Sequence, residues 1–295
     1  MMRSILVLSL VFFSSLGSLG APQNQDEEAR SPLKGSDFLE ATGTTSPSKM
    51  LGGVDVRPTV SLKGTDSFRF ENSVELGYQF SPVFNLIYVQ NFWTNLYNSS
   101  LAGGADGLGF IAQDGYLDWT RNQIFESKDK TLSLAYEGRL MVPTLGARRE
   151  AGMITALRTY FILSKKLSES VSLTFLEIPI VHAFSQASHN GKANPIVENR
   201  VGLQVSFNLS KDLSFSFPLL WSATKMRVAS GNKSSGAIEN FVWINPELSY
   251  AVDSHYSLGM GYYDSSSLMS SDLSAFQIGE GLEDGVVQVF LRASL

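Results

Sequence analysis

The chain has no cysteine among its 295 residues. That excludes a disulfide framework, thiol chemistry and the acylated cysteine that anchors a lipoprotein. Charge is scarce as well: 17% of residues are Asp, Glu, Lys or Arg, and the net charge is -5. A nucleic-acid partner would need clustered Lys and Arg, which this acidic chain does not offer. Beyond the N-terminus, no stretch approaches the roughly 20 apolar residues of a membrane helix. Yet 43% of residues are hydrophobic and 11% aromatic, while mean hydropathy is near zero. Alternation produces such a balance, because one apolar face cancels one polar face.

The clearest alternation runs from Val197 to Trp221. Val201, Leu203, Val205, Phe207 and Leu209 point one way; Glu198, Arg200, Gly202, Gln204, Ser206 and Asn208 point the other. After Ser210-Lys211-Asp212, Leu213, Phe215, Phe217, Leu219 and Trp221 resume against Ser214 and Ser216. Successive strand side chains face opposite sides, so this is a β-hairpin with one greasy and one polar face. Each arm is about ten residues or longer, whereas globular strands average roughly five or six. Roughly nine to eleven tilted residues cross a bilayer. The hairpin therefore predicts a transmembrane β-barrel unit, apolar face to lipid and polar face to the interior.

Three regions follow in chain order. Residues 1–20 read as a signal peptide: Arg3, an apolar Ile5–Phe13 run, then small residues to Gly20 before Ala21-Pro22. Residues 21–53 are polar and rich in Ser, Thr, Pro, Gly and acids, predicting a flexible periplasmic tail. Residues 54–295 carry about twelve strand patterns. Pro58, which lacks a donor, predicts a bulge or frayed pairing in the first. Leu176, Ile178 and Ile180 break the alternation around Pro179, predicting a phase change at a bulge. Short turns after every second strand and longer loops between predict two unlike rims, with both termini on the short-turn side. Trp93, Tyr97, Tyr116, Trp119, Trp221, Tyr262 and Tyr263 fall near proposed strand ends, as interfacial girdles would.

With those strands in place, residues 54–295 resemble the Gram-negative outer-membrane β-barrels. The resemblance implies an all-β, antiparallel up-and-down barrel in the bacterial outer membrane, bounded by outer-membrane lipid. It also implies recognition of the C-terminal strand by the barrel-insertion machinery. The last strand ends Val287-Gln288-Val289-Phe290-Leu291-Arg292-Ala293-Ser294-Leu295, with Leu where such barrels end in an aromatic residue. A soluble β-sandwich would also alternate, but its strands would be shorter and its apolar faces would need a partner sheet.

The expected interior carries both signs. Arg57, Arg69, Arg139, Arg158, Arg200 and Arg292 face inward with Asp55, Glu71, Glu75, Glu137, Glu198, Glu239 and Glu247. Such groups either line a pore and set solute preference or pair across strands and plug a narrow barrel. Their near-balance of sign implies no selectivity. Catalytic readings are weaker. His255-Tyr256-Ser257 has the His-x-Ser spacing of outer-membrane phospholipases, but the expected topology puts it in a periplasmic turn. His189 reads as a solvated loop residue, not a metal ligand. The Gly103–Gly109 stretch neither follows a buried strand nor opens a helix, so it is no phosphate cradle. The expectation is a small passive pore without cofactor or metal. The alternatives are a non-conducting barrel that displays extracellular loops and, further off, a membrane-embedded hydrolase.

Overall fold

The structure, a computed structural model, describes residues 49–61, 68–81, 83–97, 109–230, 235–253, 256–267 and 286–294. The expected signal peptide, most of the expected tail and His255 lie outside the described residues. The described chain forms β1 (Lys49–Ser61), β2 (Phe68–Ser81), β3 (Phe84–Tyr97), β4 (Gly109–Ala112), β5 (Gly115–Glu126) and β6 (Leu132–Val142). A short helix α1 (Gly146–Glu150) precedes β7 (Met153–Lys166) and β8 (Val171–Phe184). A small hairpin, β9 (Ser188–His189) and β10 (Lys192–Ala193), leads to β11 (Pro195–Asn208) and β12 (Leu213–Met226). The chain finishes with β13 (Ile238–Ile244), β14 (Glu247–Ala251), β15 (Tyr256–Ser267) and β16 (Val286–Ser294).

All pairings are antiparallel and the staves follow one another in chain order, β9 and β10 forming a separate small sheet, and β1 pairs with β16, from Gly53 opposite Ser294 to Ser61 opposite Val286. The sheet thus closes into a barrel of twelve staves, as the alternation predicts. Two staves are made of pieces. β4 and β5 both pair with β3, on either side of a break at Gln113-Asp114. β13 and β14 share a stave interrupted at Asn245-Pro246, where proline has no N–H to give the ladder.

Six strands run 14 residues each, long enough to cross a bilayer at a tilt. The barrel's outer face exposes Leu76, Phe84, Leu140, Phe175, Leu203, Phe217, Leu219, Met260 and Leu291 to the surroundings. A monomer in water rarely shows contiguous apolar surface of that extent; lipid is its natural cover. In the opening hairpin Val205 sits opposite Phe217 and Phe207 opposite Phe215, both pairs outward, as the sequence requires.

Several expectations change in detail. β1 begins at Lys49, five residues before the expected Val54, so those residues belong to the barrel and not to the tail. Of the two outcomes expected at Pro58, the frayed pairing is found and the bulge is not: β1 keeps one register with β2 through Pro58 opposite Phe70, while the β16 ladder skips Arg57 and Pro58. The bulge expected at Pro179 is also absent. β8 pairs with β11 in one register from Val181 to Val171. Ser172, Thr174, Leu176, Ile178, Ile180, His182 and Phe184 all point inward. The chain breaks the apolar-out rule without breaking phase, because the interior there is packed with its own side chains. The same register turns Glu177 outward.

Candidate functional site: the barrel interior

Eight of the thirteen predicted charged residues are buried on the inward face: Asp55, Glu71, Glu137, Arg139, Arg158, Glu198, Arg200 and Glu247. Glu75 and Glu239 are half-buried there. Arg57, Arg69 and Arg292 hold inward register positions in β1, β2 and β16; Arg57 stands opposite Glu71 and Arg292 opposite Asp55. Their side chains lie outside the described residues.

Two clusters organise the middle of the interior. In the first, Arg139 Nε donates to Glu137 Oε1 at 2.5 Å and to Asp118 Oδ2 at 3.0 Å. Thr120 donates its hydroxyl to the other Asp118 oxygen at 2.8 Å. The guanidinium lies over the rings of Tyr116 and Tyr160, 4.5 and 5.0 Å from their centroids. Arg158, a second buried cation, stands directly across the ladder from Arg139. In the second cluster, Arg200 Nε donates to Glu198 Oε1 at 2.5 Å and lies 5.3 Å from the centre of the Trp243 ring. His182 Nε2 sits 3.7 Å from the other Glu198 oxygen. Arg139 and Arg158 are each at most 1% exposed. Buried charge survives only when paired and hydrogen-bonded, and here strand geometry supplies the pairing. Residues 137 and 139, like 198 and 200, are two apart, so they share a face one pleat from each other.

Above and below, the lining changes character. Toward the short-turn rim it is small and neutral: Ser164 and Thr174 share a hydrogen bond at 3.1 Å, and Gln204 donates to Ser206 at 2.8 Å. Apolar side chains fill the space between, including Ile162, Leu176, Ile178, Ile180 and Leu220. At the opposite rim, three loops are tied together. Asn194 donates from Nδ2 to the carbonyls of Ala151 and Gln186, both at 3.0 Å, and its own carbonyl accepts from the Arg227 N–H. Asp114 accepts from the Leu145 N–H at 3.0 Å and holds Arg148 of α1 at 3.6 Å.

The sequence reading missed Asp118, although Tyr116-Leu117-Asp118-Trp119-Thr120 alternates once strand phase is known. It also misassigned three girdle aromatics. Trp93, Tyr116 and Tyr263 are buried inside, Tyr116 under the Arg139 guanidinium, whereas Trp119, Trp221 and Tyr262 do face outward. Position near a strand end says nothing about face; only parity does. Tyr97's side chain lies outside the described residues. Among the described residues no cluster of His, Asp and Glu has the arrangement of a metal site.

No family model matches the chain, and no curated protein does. Solved structures do. The chain is similar to the COG4313 outer membrane channel from Pseudomonas putida F1, with a TM-score of 0.58 at 10% identity. The match covers 85% of this chain and 97% of that one. It is also similar to the NanC porin, with a TM-score of 0.52 at 11% identity, over 82% of this chain and all of the other, 100%. Identities this low speak for shared fold alone. The resemblance expected from sequence therefore holds at the level of architecture: this is a barrel of the outer-membrane type.

Proposed function

We propose that the protein is a narrow passive channel for ions or small solutes in a bacterial outer membrane. The observation that carries this reading is an interior lined by charges of both signs inside a closed barrel whose outside is apolar. A barrel serving only as a scaffold has no need to bury Arg139, Arg158 and Arg200, since well-packed apolar residues serve stability as well or better. Two solved barrels of similar fold are described as a channel and a porin, which supports the same reading. The near-balance of sign predicts weak ion preference, and the tight packing around the two clusters predicts small conductance.

A second reading has its own observation. Tyr116, Ile162, Leu176 and Ile180 are buried together with the arginines, as in a filled barrel that conducts nothing and presents its tied loops outside. Recording from pure protein in planar bilayers separates the two. Stable conductance steps support the channel; silence from correctly folded protein favours the filled barrel. Insertion through β16 is part of the proposal, and its test is loss of membrane assembly when residues 286–295 are deleted.

A further inference from the structure

The chain contains three histidines. His189 belongs to the small β9–β10 hairpin, and His255 lies outside the described residues. His182 points into the barrel from the long-loop end of β8, two residues before its end at Phe184. Imidazole is the ordinary side chain that changes charge between about pH 5 and 8. What that change does depends on the groups around it.

Among the described residues, those groups come from four directions. From β11, Glu198 presents Oε2 at 3.7 Å from His182 Nε2, while Arg200 Nε bonds Oε1 of the same carboxylate. From β7, Ala156 stands opposite His182, and Arg158 approaches on the diagonal, opposite Ile180. β8 itself adds no charge: Ile180 and Phe184 flank the imidazole, with the Phe184 ring 6.3 Å away. At the loop end, α1 carries Arg148, paired with Asp114, and the exposed Arg149 and Glu150. Farther round the wall, Thr224 separates Glu198 from Glu239 in one cross-strand row, and Tyr160 and Tyr263 lie within electrostatic reach of Arg200.

One carboxylate is thus bracketed by a permanent cation and a titratable one. While the imidazole is neutral, Arg200 and Glu198 cancel. Protonation leaves the trio with one net positive charge. The Glu198 side chain is the most exposed of the three, 9% against 5% for Arg200 and 1% for His182. A passing ion therefore meets the carboxylate, and the imidazole acts on it from behind. At so short a range, in a place poor in water, that action is only weakly screened.

Resting on the channel reading, we propose that His182 determines ion preference: its protonation offsets the pull of Glu198 on cations and turns the channel toward anions as pH falls. The test is the reversal potential of pure full-length protein in planar bilayers under a potassium chloride gradient, between pH 8 and 5.5. Ordinary carboxylates, with pKa values of about 4, stay charged across that window. In the wild type the ratio of chloride to potassium permeability rises at least twofold on acidification. His182→Gln holds the pH 8 ratio throughout, while His189→Gln and His255→Gln respond as the wild type does. Heat-modifiable mobility confirms that each variant is folded. In protein labelled with 13C-histidine in micelles, the ring signal missing from His182→Gln moves within the same window. Steps of conductance whose ratio ignores pH overturn the proposal and leave the channel standing. So does a rise that persists in His182→Gln, or a His182 ring signal that stays fixed. Silence from folded protein removes the channel reading and this proposal with it.

Discussion

Glu137 and Arg139 stand two residues apart on β6 and meet inside the barrel, where the carboxylate accepts from the guanidinium Nε at 2.5 Å. Asp118 completes the cluster from the neighbouring strand. Removing the cation would strand two carboxylates in a place with little water. Arg139→Ala is therefore expected to destabilise the barrel by about 3–5 kcal/mol. By contrast, Arg149→Ala, on the exposed face of α1, stays within about 0.5 kcal/mol. Urea unfolding in detergent micelles, followed by tryptophan fluorescence, measures both.

The second cluster is the place to alter ion preference. Arg200 balances Glu198 and covers the Trp243 ring. Arg200→Ala removes the cation bonded to Glu198 and leaves that carboxylate with His182 beside it. In a channel, the reversal potential under a salt gradient should then move toward cation preference, by roughly twofold or more in permeability ratio. Glu198→Gln is expected to move it the other way. A pair of variants that shift the potential in the same direction would show that these side chains do not face the conducting path.

The two faces of β12 give a sharper contrast. Phe217 is 43% exposed on the outside and Ser216 fully buried on the inside. Placing a charge at position 217 puts it in hydrocarbon, so Phe217→Arg should cost roughly 2–4 kcal/mol of folding into vesicles if the site is near the midplane. Ser216→Ala removes only a small hydroxyl and should cost under about 1 kcal/mol. Equal effects from the two changes would argue against lipid as the cover of the outer face.

The architecture was legible because a strand's parity exposes which face each side chain takes. The Val197–Trp221 hairpin, with its strict period of two, is found in the register expected. Parity failed as a guide only where both faces carried apolar groups. Leu176, Ile178 and Ile180 read as a slip, because an interior filled with aliphatic side chains was not anticipated. Trp93, Tyr116 and Tyr263 read as girdles for the same reason. The charged lining was visible as a set, since ten of the thirteen singled-out residues are seen facing inward. Which of them meet was not. The approach of Asp118 to Arg139 depends on the stagger between β5 and β6, which bulges between Arg121 and Phe125. No local pattern in the sequence fixes that stagger.

The tightest acid-dependent feature lies in the turn between β5 and β6, outside the membrane. Asp129 accepts from the Ser127 hydroxyl at 2.5 Å and the Thr131 hydroxyl at 2.8 Å, and from the Thr131 N–H at 3.2 Å. Those donors, Ser127 first and then Thr131, hold its carboxyl down at about 2, with Lys165 adding a smaller attraction. The turn needs the help, because Lys130 follows with a φ of 56°, a left-handed conformation that a side chain disfavours. A carboxylate whose folded pKa is depressed stabilises the fold above its ordinary value, near 3.8, and that contribution fades as pH falls toward 2. Asp129→Asn keeps the size but loses the charge. The unfolding midpoint of the wild type should exceed that of the variant at pH 6, converge with it between pH 4 and 2, and match it at the acid end. A difference that persists unchanged down to pH 2 would mean the amide had disturbed the turn for reasons other than charge, and the ionised carboxylate would not be what holds Lys130 in its left-handed conformation.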